Sequence, residues 1–543
     1  MTDAAKNSAL KTLLSAINPL QRGQQHPLDT PQVRNNAGGF VYALGDEARL
    51  TRFLVLGSDG GTFYAGAQAH TVQATDFLRA LVERDAALAL RIMLDVVRAG
   101  RAPRPDPALL VLALIAKTAP DVADRQAAWR ALPEVARTGT MLLHFLAFVK
   151  ALGGWGRLTR RGVANVYENL DVDRLTLWAV KYKGRDGWTQ ADALRLAHPR
   201  TADPVRNAVL KFMVSGDLVP PPAADAPALR VIEGHQRVQE APNDEAAARL
   251  MLDYGLPVEG VPTHLRGPEV YRAAMQTNGL TWLLRNLGNL SRVEVLSVND
   301  RELVDAAVAR LTDPLALARG RIHPLDALKA RLVYAAGRGV RGKGTWLPVP
   351  RVVDALEEAF HMAFGQVRPA GTRHLLALDV SGSMTWGEVA GVPGLTPNMA
   401  AAAMSMLALR TEPEALTMGF ADQFRALGIT PRDSLEATMR KAQSASFGAT
   451  DCAQPMRWAA QANVDVDTFV VYTDNETWAG TVHPSVALDQ YRQRTGLAAR
   501  LIVVGLTATQ FSIADPHRSD MLDVVGFDTA APDLMSAFAR GEL

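Results

Sequence analysis

The sequence has little cysteine and no long apolar run, and each scarcity excludes a class of protein. Cys452 is the one cysteine among 543 residues, which excludes an internal disulfide framework and suggests a reducing compartment. The most apolar stretch, ALLVLALIA at 108–116, is too short to span a bilayer and predicts a buried helix. The start, MTDAAKNSALKTLLSAINPL, lacks the basic region and long apolar core of a secretory signal. We therefore expect a soluble, cytoplasmic protein with no membrane partner.

Net charge is also small, +2 at pH 7, and by itself it indicates no partner. Two segments depart from this balance. Residues 155–211 hold eleven Lys and Arg against six Asp and Glu, and residues 319–351 hold eight against one. Local basic excess attracts phosphate groups. A solvated surface, balanced by acidic segments such as 238–259, is the alternative that the sequence leaves open.

The first two thirds of the chain has the pattern of a helical protein. A length of 543 residues is too great for one core, so we expect two to four domains. Short breaks containing Pro or Gly separate segments in which apolar residues recur at helical spacing. These segments are 75–100, 106–119, 139–152, 162–182 and 189–197. Helices of this length joined by short turns predict stacked helical pairs, as in a solenoid.

After residue 365 the pattern changes to apolar, strand-like runs that alternate with helices. The predicted strands are 374–380, 415–421, 467–474 and 499–506, with a further candidate at 521–527. This alternation predicts a parallel sheet with helices on both faces. In such sheets ligands bind beyond the carboxyl ends of the strands, where Asp379 and Asp474 both stand.

The segment LLALDVSGSM (375–384) predicts a buried strand followed by a loop that carries a carboxylate and two hydroxyls. Two later loops, GATD (448–451) and YTDNET (472–477), add a threonine and a second aspartate. Together these side chains match the metal-ion-dependent adhesion site of von Willebrand factor A domains. The matching residues are Asp379, Ser381, Ser383, Thr450 and Asp474.

Oxygen ligands of this kind suit a hard divalent cation, so we expect Mg²⁺, with Mn²⁺ and Ca²⁺ as alternatives. In the family that the motif resembles, the cation keeps an open position that a partner's carboxylate or an anion fills. The metal-free alternative is that Ser381 and Ser383 merely cap the next helix.

Longer motifs in the rest of the chain resemble the Ro autoantigen family, in its bacterial form. They follow one another in order, and GATDCAQPM and YTDNETWAG continue the resemblance in the tail, so the match covers essentially the whole chain. The earlier motifs are RNNAGGFVYALGDEARLTRFLVLGSDGGTFYAG (34–66), GWGRLTRRGVANVYENL (154–170), VKYKGRDGWTQADALRLAH (180–198), GLTWLLRNLGNL (279–290) and RIHPLDALKARLVYAAGRGVRGKGTW (321–346).

The resemblance implies a multi-domain fold. A TROVE module of α-helical HEAT-like repeats (1–365) would form a ring, closed by an α/β Rossmann-like von Willebrand factor A domain (366–543). It implies binding of Y RNA-like noncoding RNAs on an outer basic surface, and of single-stranded 3′ ends of misfolded or immature RNAs in a central hole. It implies a role in noncoding-RNA quality control, rRNA processing and decay with exoribonucleases such as polynucleotide phosphorylase, including under stress. We expect the protein to act as a monomer.

Basic side chains in the motifs are the candidate RNA contacts. Such residues bind phosphates without reading sequence, and their affinity for RNA falls with salt. His198 is included because the family's motif contacts RNA there. Tyr182 and Trp188 could stack on bases, with core packing as the alternative. The predicted contacts are Arg157, Arg160, Arg161, Lys181, Lys183, Arg185, Arg195, His198, Lys329, Arg331, Arg338, Arg341 and Lys343.

Two other functional classes compete with RNA binding. One is a cation-dependent protein-interaction scaffold without an RNA function. The other is a metal-dependent nuclease, but two carboxylates and three hydroxyls are a poor set for activating water. The sequence contains no H-E-x-x-H motif, no G-x-S-x-G motif and no metal-spaced Cys/His cluster. We therefore expect no catalytic residues, no other cofactor and no enzymatic activity.

Overall fold

A computed structural model describes residues 23–57, 67–182, 184–219, 227–339, 344–365, 367–392, 394–445 and 448–543. Contacts divide the chain into two compact units. The first, which we call the helical unit, comprises Leu78–Gly100 and Arg104–Ala363. The second, the α/β unit, joins the N-terminal segment as far as Phe77 to Arg101–Pro103 and Phe364–Leu543. Among the residues just given, no helix is long and apolar enough to cross a membrane.

The helical unit is built from helices separated by short turns, as the apolar periodicity predicts. The first helix, Ala67–Arg98, enters this unit at Leu78. It is broken at Asp85, whose carboxylate accepts a 2.8 Å hydrogen bond from Leu88 N and caps the second segment. The other helices are Asp106–Thr118, Val122–Val135, Gly139–Ala151, Arg157–Asn169, Val172–Lys181, Gln190–Ala197, Pro204–Ser215, Arg230–Val238, Asp244–Tyr254, Pro268–Thr277, Leu280–Arg292, Arg301–Leu311, Pro314–Gly320, Pro324–Ala335 and Pro350–Met362. Short 3₁₀ turns occupy Pro227–Leu229, Val258–Gly260 and Thr263–Leu265.

Neighbouring helices pack in pairs, which confirms the predicted class of fold. Asp106–Thr118 packs on Val122–Val135, and Pro324–Ala335 packs on Pro350–Met362. The single helix predicted over 162–182 is wrong, because the chain forms two helices there. Asp171 begins the second one: its side chain accepts hydrogen bonds from two first-turn backbone N–H groups.

A small β-hairpin over residues 184–189 interrupts the helical unit. Strands β3 (Gly184–Arg185) and β4 (Trp188–Thr189) pair in antiparallel fashion. The two turn residues, Asp186 and Gly187, have φ values of 51° and 76°. A two-residue turn of this kind needs positive φ at both positions, which Asp-Gly adopts readily.

The α/β unit contains a six-stranded sheet. Its strands are β5 (Arg373–Asp379), β6 (Glu414–Phe420), β7 (Phe424–Ala426), β8 (Thr468–Thr473), β9 (Arg500–Gly505) and β11 (Met521–Val525). Their order across the sheet is β11-β9-β8-β5-β6-β7. The unit's helices are Asp46–Leu56, Pro397–Thr411, Leu435–Gln443, Gln454–Ala462, Pro484–Thr495 and Ala531–Arg540, with 3₁₀ turns at Gly382–Thr385 and Val389–Gly391. All five predicted strands are present and parallel, and β7 adds an antiparallel edge that makes the sheet mixed.

The N-terminal segment belongs to the same compact unit as this sheet. Strands β1 (Val33–Arg34) and β2 (Phe40–Ala43) form a second sheet with β10 (Phe511–Ser512), in the order β1-β2-β10. The domain boundary at 365 and 366 stays a prediction about the two sequence modules. The contacts add that the start of the first module folds against the second.

Candidate functional site

Five oxygen-bearing side chains lie buried at the carboxyl ends of the central strands of the α/β unit. β5 ends at Asp379, and its parallel neighbour β8 ends one residue before Asp474. Neighbouring parallel strands therefore bring the two aspartates to the same edge of the sheet. The five buried residues are the predicted ligands Asp379, Ser381, Ser383, Thr450 and Asp474.

Hydrogen bonds join four of these residues into one cluster. Ser381 Oγ donates to Asp379 Oδ1 over 2.6 Å and lies 3.0 Å from Ser383 Oγ. The Ser383 hydroxyl in turn hydrogen-bonds the Asp474 carboxylate. The other oxygen of Asp379 accepts a 2.7 Å hydrogen bond from Thr473. The hydroxyls thus hold the two carboxylates in place.

Thr450, the fifth predicted ligand, lies in a loop beside the residues that follow Asp474. Its carbonyl oxygen accepts hydrogen bonds from Trp478 N at 3.1 Å and Ala479 N at 3.0 Å. Its own hydroxyl is buried, and no hydrogen-bond partner for it lies among the described residues. An unsatisfied buried hydroxyl costs about 1–3 kcal/mol. A cation would give this oxygen the partner that it lacks.

Ionisation of the acids in this cluster is electrostatically unfavourable. Burial raises the pKa of Asp379 to about 7, and the nearby charge of Asp474 adds to the shift. Burial also raises the pKa of Asp474. Hard oxygen donors with this excess of negative charge fit a divalent cation such as Mg²⁺. Within the described ranges, no group of three or more His, Cys, Asp or Glu side chains is placed to hold a metal, so hydroxyls would have to complete the shell.

Glu476 is a further buried acid that sequence reasoning missed. Burial and the charge of Asp474 raise the pKa of Glu476 to about 8. Its two carboxylate oxygens accept hydrogen bonds from Asn36 Nδ2 at 2.7 Å and Ala37 N at 3.0 Å. YTDNET and RNNAGG both contain the relevant residues, but nothing in either motif indicates that they meet. Only the folded chain links the N-terminal segment to the loop that carries Asp474.

In the helical unit, positively charged side chains converge on a cavity of about 830 Å³, which we call the basic cavity. Two of them, Lys181 and Arg185, are predicted RNA contacts. The other four were not among the predicted contacts. Arg285 stands in the motif GLTWLLRNLGNL, and Arg319 and Arg321 stand in the basic segment 319–351. The six cationic residues are Arg137, Lys181, Arg185, Arg285, Arg319 and Arg321.

Like charges are crowded around this cavity. Partial burial lowers the pKa of Arg137, and the charges of Arg321 and Arg174 lower it further. Opposing charge comes from Asp106 and Glu259 in the lining and from Asp186 beside it: Lys181 lies 3.5 Å from Glu259, and Arg185 lies 3.4 Å from Asp186. An arrangement with more cations than nearby anions favours the binding of a polyanion.

A second basic region, the basic groove, lies along the helix Arg157–Asn169 and encloses about 560 Å³. It brings together three predicted contacts, Arg160, Arg161 and His198, all of them exposed. His198 ends the helix Gln190–Ala197 in a left-handed conformation, with φ of 50°. Arg130 and Arg200 also line the groove and were missed, since neither stands in a dense basic motif.

The other predicted contacts that the structure describes line neither of these two regions. Arg157, Arg195 and Arg338 are exposed, and Lys329 is exposed beside a third cavity. The prediction for Arg331 needs correction: its side chain is 5% exposed and pairs with Glu357 at 3.1 Å, so it does not reach a phosphate. Lys183, Arg341 and Lys343 lie outside the described residues.

The two aromatic residues proposed as stacking surfaces are partly engaged in packing. Tyr182 lines the basic cavity and meets Trp178 edge to face, with ring centroids 6.4 Å apart. Trp188 stacks on Trp155 at 5.8 Å, with Lys150 over its ring. Both side chains are half-buried, so packing accounts for one face of each ring.

Comparisons with known proteins match both halves of the fold. A TROVE domain model matches residues 33–219, and a Ro60 vWA domain model matches residues 373–539. The RNA-binding protein RO60 of Deinococcus radiodurans is 78% identical over 534 residues, which cover 98% of this chain and all of the relative. The RNA-binding protein RO60 of Caenorhabditis elegans is 32% identical over 595 aligned positions, covering 96% and 92% of the two chains. The crystal structure of the Deinococcus radiodurans RO (RSR) protein aligns with a TM-score of 0.70 at 78% identity, covering 92% of this chain and all of that one.

Proposed function

Because this chain belongs to the Ro60 family, we propose that it is an RNA-binding protein that holds single-stranded RNA in the basic cavity and folded RNA along the basic groove. The observation that carries the proposal is the convergence of six Lys and Arg side chains on one cavity of about 830 Å³. Relatives at 78% and 32% identity are themselves described as RNA-binding.

The chemistry of the basic cavity suits a phosphate backbone. Arginine guanidinium groups bind phosphate oxygens in pairs, and five of the six cations are arginines. Burial and the charges of Arg321 and Arg174 lower the pKa of Arg137, and a bound anion would offset the repulsion among these cations. We assign single-stranded 3′ ends of misfolded or immature RNAs to this cavity on the family resemblance.

The basic groove suits a folded RNA. Arg160, Arg161 and Arg200 are exposed there, so they can contact phosphates without being pulled out of the core. Double-stranded RNA is bound mostly through its backbone and shape, which requires spaced cations rather than a deep pocket. We assign Y RNA-like noncoding RNAs to this groove.

We further propose that the protein acts in noncoding-RNA quality control in the cytoplasm, including under stress. It would present misfolded RNAs and rRNA precursors to an exoribonuclease such as polynucleotide phosphorylase, and it would not cut them itself. The family resemblance supports this role. The buried cluster offers two carboxylates and three hydroxyls as ligands, which is a weak set for activating water.

The cation site would serve a different purpose from RNA binding. Asp379, Ser381, Ser383, Thr450 and Asp474 would hold a divalent cation, Mg²⁺ first. When bound, that cation supplies a positive charge that the buried acids need and a position for an acidic ligand. This is the feature on which the alternative function, a cation-dependent protein scaffold, would depend.

A binding experiment tests the assignment to RNA. A folded RNA with a single-stranded 3′ tail is compared with the same RNA carrying a blunt end, by fluorescence anisotropy at low salt. We expect the tail to tighten binding, and Lys181→Glu with Arg185→Glu to weaken binding of the tailed RNA by roughly tenfold or more. Arg249→Glu is the control, because Arg249 is an exposed cation of the same unit that pairs with Glu245 and lines neither region.

The opposite result is equally clear. If neither RNA binds at low salt, RNA binding is wrong for this chain. Cation-dependent capture of an acidic protein ligand would then be the function to pursue. If both RNAs bind alike and the double variant behaves as the control does, the basic cavity is not where the tail binds.

A further inference from the structure

A third cavity of about 560 Å³ lies between the helices Leu280–Arg292 and Pro324–Ala335, and we call it the side cavity. Each helix lines it with one face at the i, i+3, i+4, i+7 spacing. The residues on these faces are Thr281, Leu284, Arg285 and Gly288 on the first helix, and Asp326, Lys329, Ala330 and Val333 on the second. Thr281 and Arg285 also line the basic cavity, so the two cavities adjoin along the first helix.

One wall of the side cavity is a fixed aromatic surface. The indole of Trp346 lies against Gly288, where a Cβ atom would come within 2.7 Å of the ring. Trp346 Nε1 donates a 2.9 Å hydrogen bond to the carbonyl of Tyr334, and the two rings stack at 6.2 Å with an angle of 19°. The Tyr334 hydroxyl is held by Ser291 Oγ at 2.8 Å. The wall is therefore in place before any ligand arrives.

Beside the polar side chains of Thr281, Arg285, Asn289 and Lys329, the described lining of the side cavity holds one carboxylate, that of Asp326. Burial raises its pKa, whereas the charges of Arg285 and Lys329 oppose that shift. Asp326 stands in the first helical turn and accepts a hydrogen bond from the backbone of His323. One such bond leaves most of the acceptor capacity of a carboxylate unused, since it has about four lone-pair sites.

We propose that the side cavity binds one nucleobase of the RNA strand held in the adjoining basic cavity, with guanine preferred. This inference rests on the proposed function. The volume lies within the range of small-ligand pockets, roughly 300–1,000 Å³. A base would stack on Trp346, and Arg285 and Lys329 would take the flanking phosphates.

The preference for guanine follows from the shape of the acceptor. Guanine presents two neighbouring N–H donors, at N1 and N2, that match the two oxygens of one carboxylate. Uracil presents a single N–H between two carbonyl oxygens, which the Asp326 carboxylate repels. Adenine and cytosine offer one amino donor beside a ring acceptor and rank between the two.

The test uses the full chain and a duplex RNA with a short 3′ tail of uridines, into which one guanine is placed at successive positions. We expect the best single-guanine tail to bind roughly tenfold tighter than the all-uridine tail. Asp326→Asn should abolish this preference, and so should Ala330→Phe, which fills the cavity. Asp354→Asn is the matched control, because Asp354 is an exposed aspartate of the neighbouring helix Pro350–Met362 that lines neither cavity.

A melting temperature recorded for each variant separates base recognition from helix capping. A capping role alone would lower the melting temperature of Asp326→Asn and leave the guanine preference unchanged, which would overturn the proposal. Equal binding of all tails to the wild-type chain would also overturn it, while leaving RNA binding in the basic cavity intact. Failure of every tail to bind would instead remove the proposed function, and the side cavity assignment with it.

Discussion

Asp379, Asp474 and Glu476 are three buried acids whose charges oppose one another. The pKa values of all three are raised, with burial as the largest cause, and the charge of Asp474 acts on both neighbours. Ionising all three acids together is therefore unfavourable in the folded state. A ligand that binds only the folded state stabilises it, by about 2.7 kcal/mol at a hundredfold excess over its Kd.

The first prediction concerns Asp379→Asn. Mg²⁺ should raise the melting temperature of the wild-type chain, and this rise should disappear in the variant, which has lost one of the two proposed carboxylate ligands. Asp533→Asn, an exposed aspartate of the α/β unit, should keep it. Affinity for tailed RNA should stay nearly unchanged in Asp379→Asn. A variant with the full Mg²⁺ response would show that the cation binds elsewhere.

His144 provides a prediction about pH. Its Nδ1 contacts Asp186, and its Nε2 lies 3.2 Å from Asp106 Oδ1. The hydrogen bonds that the protonated His144 ring donates to Asp106 and Asp186 raise the pKa of His144, against the opposing effect of burial. A raised histidine pKa means that the interaction stabilises the fold fully below about pH 6.5, the unfolded value, and is lost as pH rises through the folded pKa.

We therefore expect His144→Asn to lower the melting temperature at pH near 6 and to have little effect at pH near 9. Thermal unfolding at the two pH values measures this difference. His144 contacts Asp186, which stands in the β3–β4 turn directly after Arg185. Loss of this contact should disturb Arg185, so the variant should also weaken RNA binding more at the lower pH. An equal loss of stability at both pH values would mean that packing of the ring, not its charge, is what matters.

At the scale of elements, the N-terminal segment packs against the loop that carries Asp474 and is held there by hydrogen bonds. Asn35 Nδ2 donates to the Thr477 carbonyl at 2.8 Å, and Gln24 Nε2 donates to Asp451 at 2.7 Å. Gly39 lies so close that a Cβ atom would stand 1.9 Å from the Thr477 carbonyl oxygen. Only glycine permits this approach of two backbones.

Gly39→Ala should therefore destabilise the α/β unit by about 1–3 kcal/mol, the usual cost of forcing extra volume into a packed site. Gly45→Ala is the comparison, because a Cβ atom there meets nothing within 4 Å. Thermal or urea unfolding of the two variants measures the contrast. Equal melting temperatures would show that the segment separates from the loop at little cost.

The elements that sequence patterns predicted best are those whose local signals agree. The strands of the α/β unit are continuous apolar runs, so β5 and β8 were predicted to within one residue at each end. The break at Asp171 was missed because apolar spacing runs through it, although an aspartate before a helical segment is a typical cap. Four of the five predicted cation ligands are joined by hydrogen bonds, because strand order places them at one edge.

What patterns could not predict are partners distant in sequence. Glu476 meets Asn36 across 440 positions, and neither local segment carries a sign of the other. Arg137 has no basic neighbour in sequence, yet it lies close enough to Arg321 for that charge to lower its pKa. Arg331 shows the reverse error: it stands in a basic motif but is buried against Glu357. A dense basic motif therefore indicates a basic surface only when its side chains lie on the exposed face of their helix.

At the scale of the whole molecule, the net charge of +2 would suggest weak interaction with RNA. Salt, however, screens the interaction between exposed charges that lie more than about 8 Å apart at physiological salt. A bound phosphate therefore responds to the charges close to it and not to the net charge of the chain. The basic cavity gathers six cations, and the basic groove gathers four arginines and His198. We therefore expect the local fields of these two regions, and not the net charge, to set the affinity for RNA.

The last prediction concerns the salt dependence of RNA binding in the basic cavity. For single-stranded RNA, the slope of log affinity against log salt is about −0.7 per phosphate contacted. If Lys181 and Arg185 each contact one phosphate, Lys181→Glu with Arg185→Glu should reduce the slope for tailed RNA by about 1.4. Asp379→Asn removes a negative charge outside the basic cavity and should leave the slope unchanged. A salt titration of wild type and both variants measures it; a shallow wild-type slope would mean that phosphate contacts do not hold the RNA, whatever its affinity.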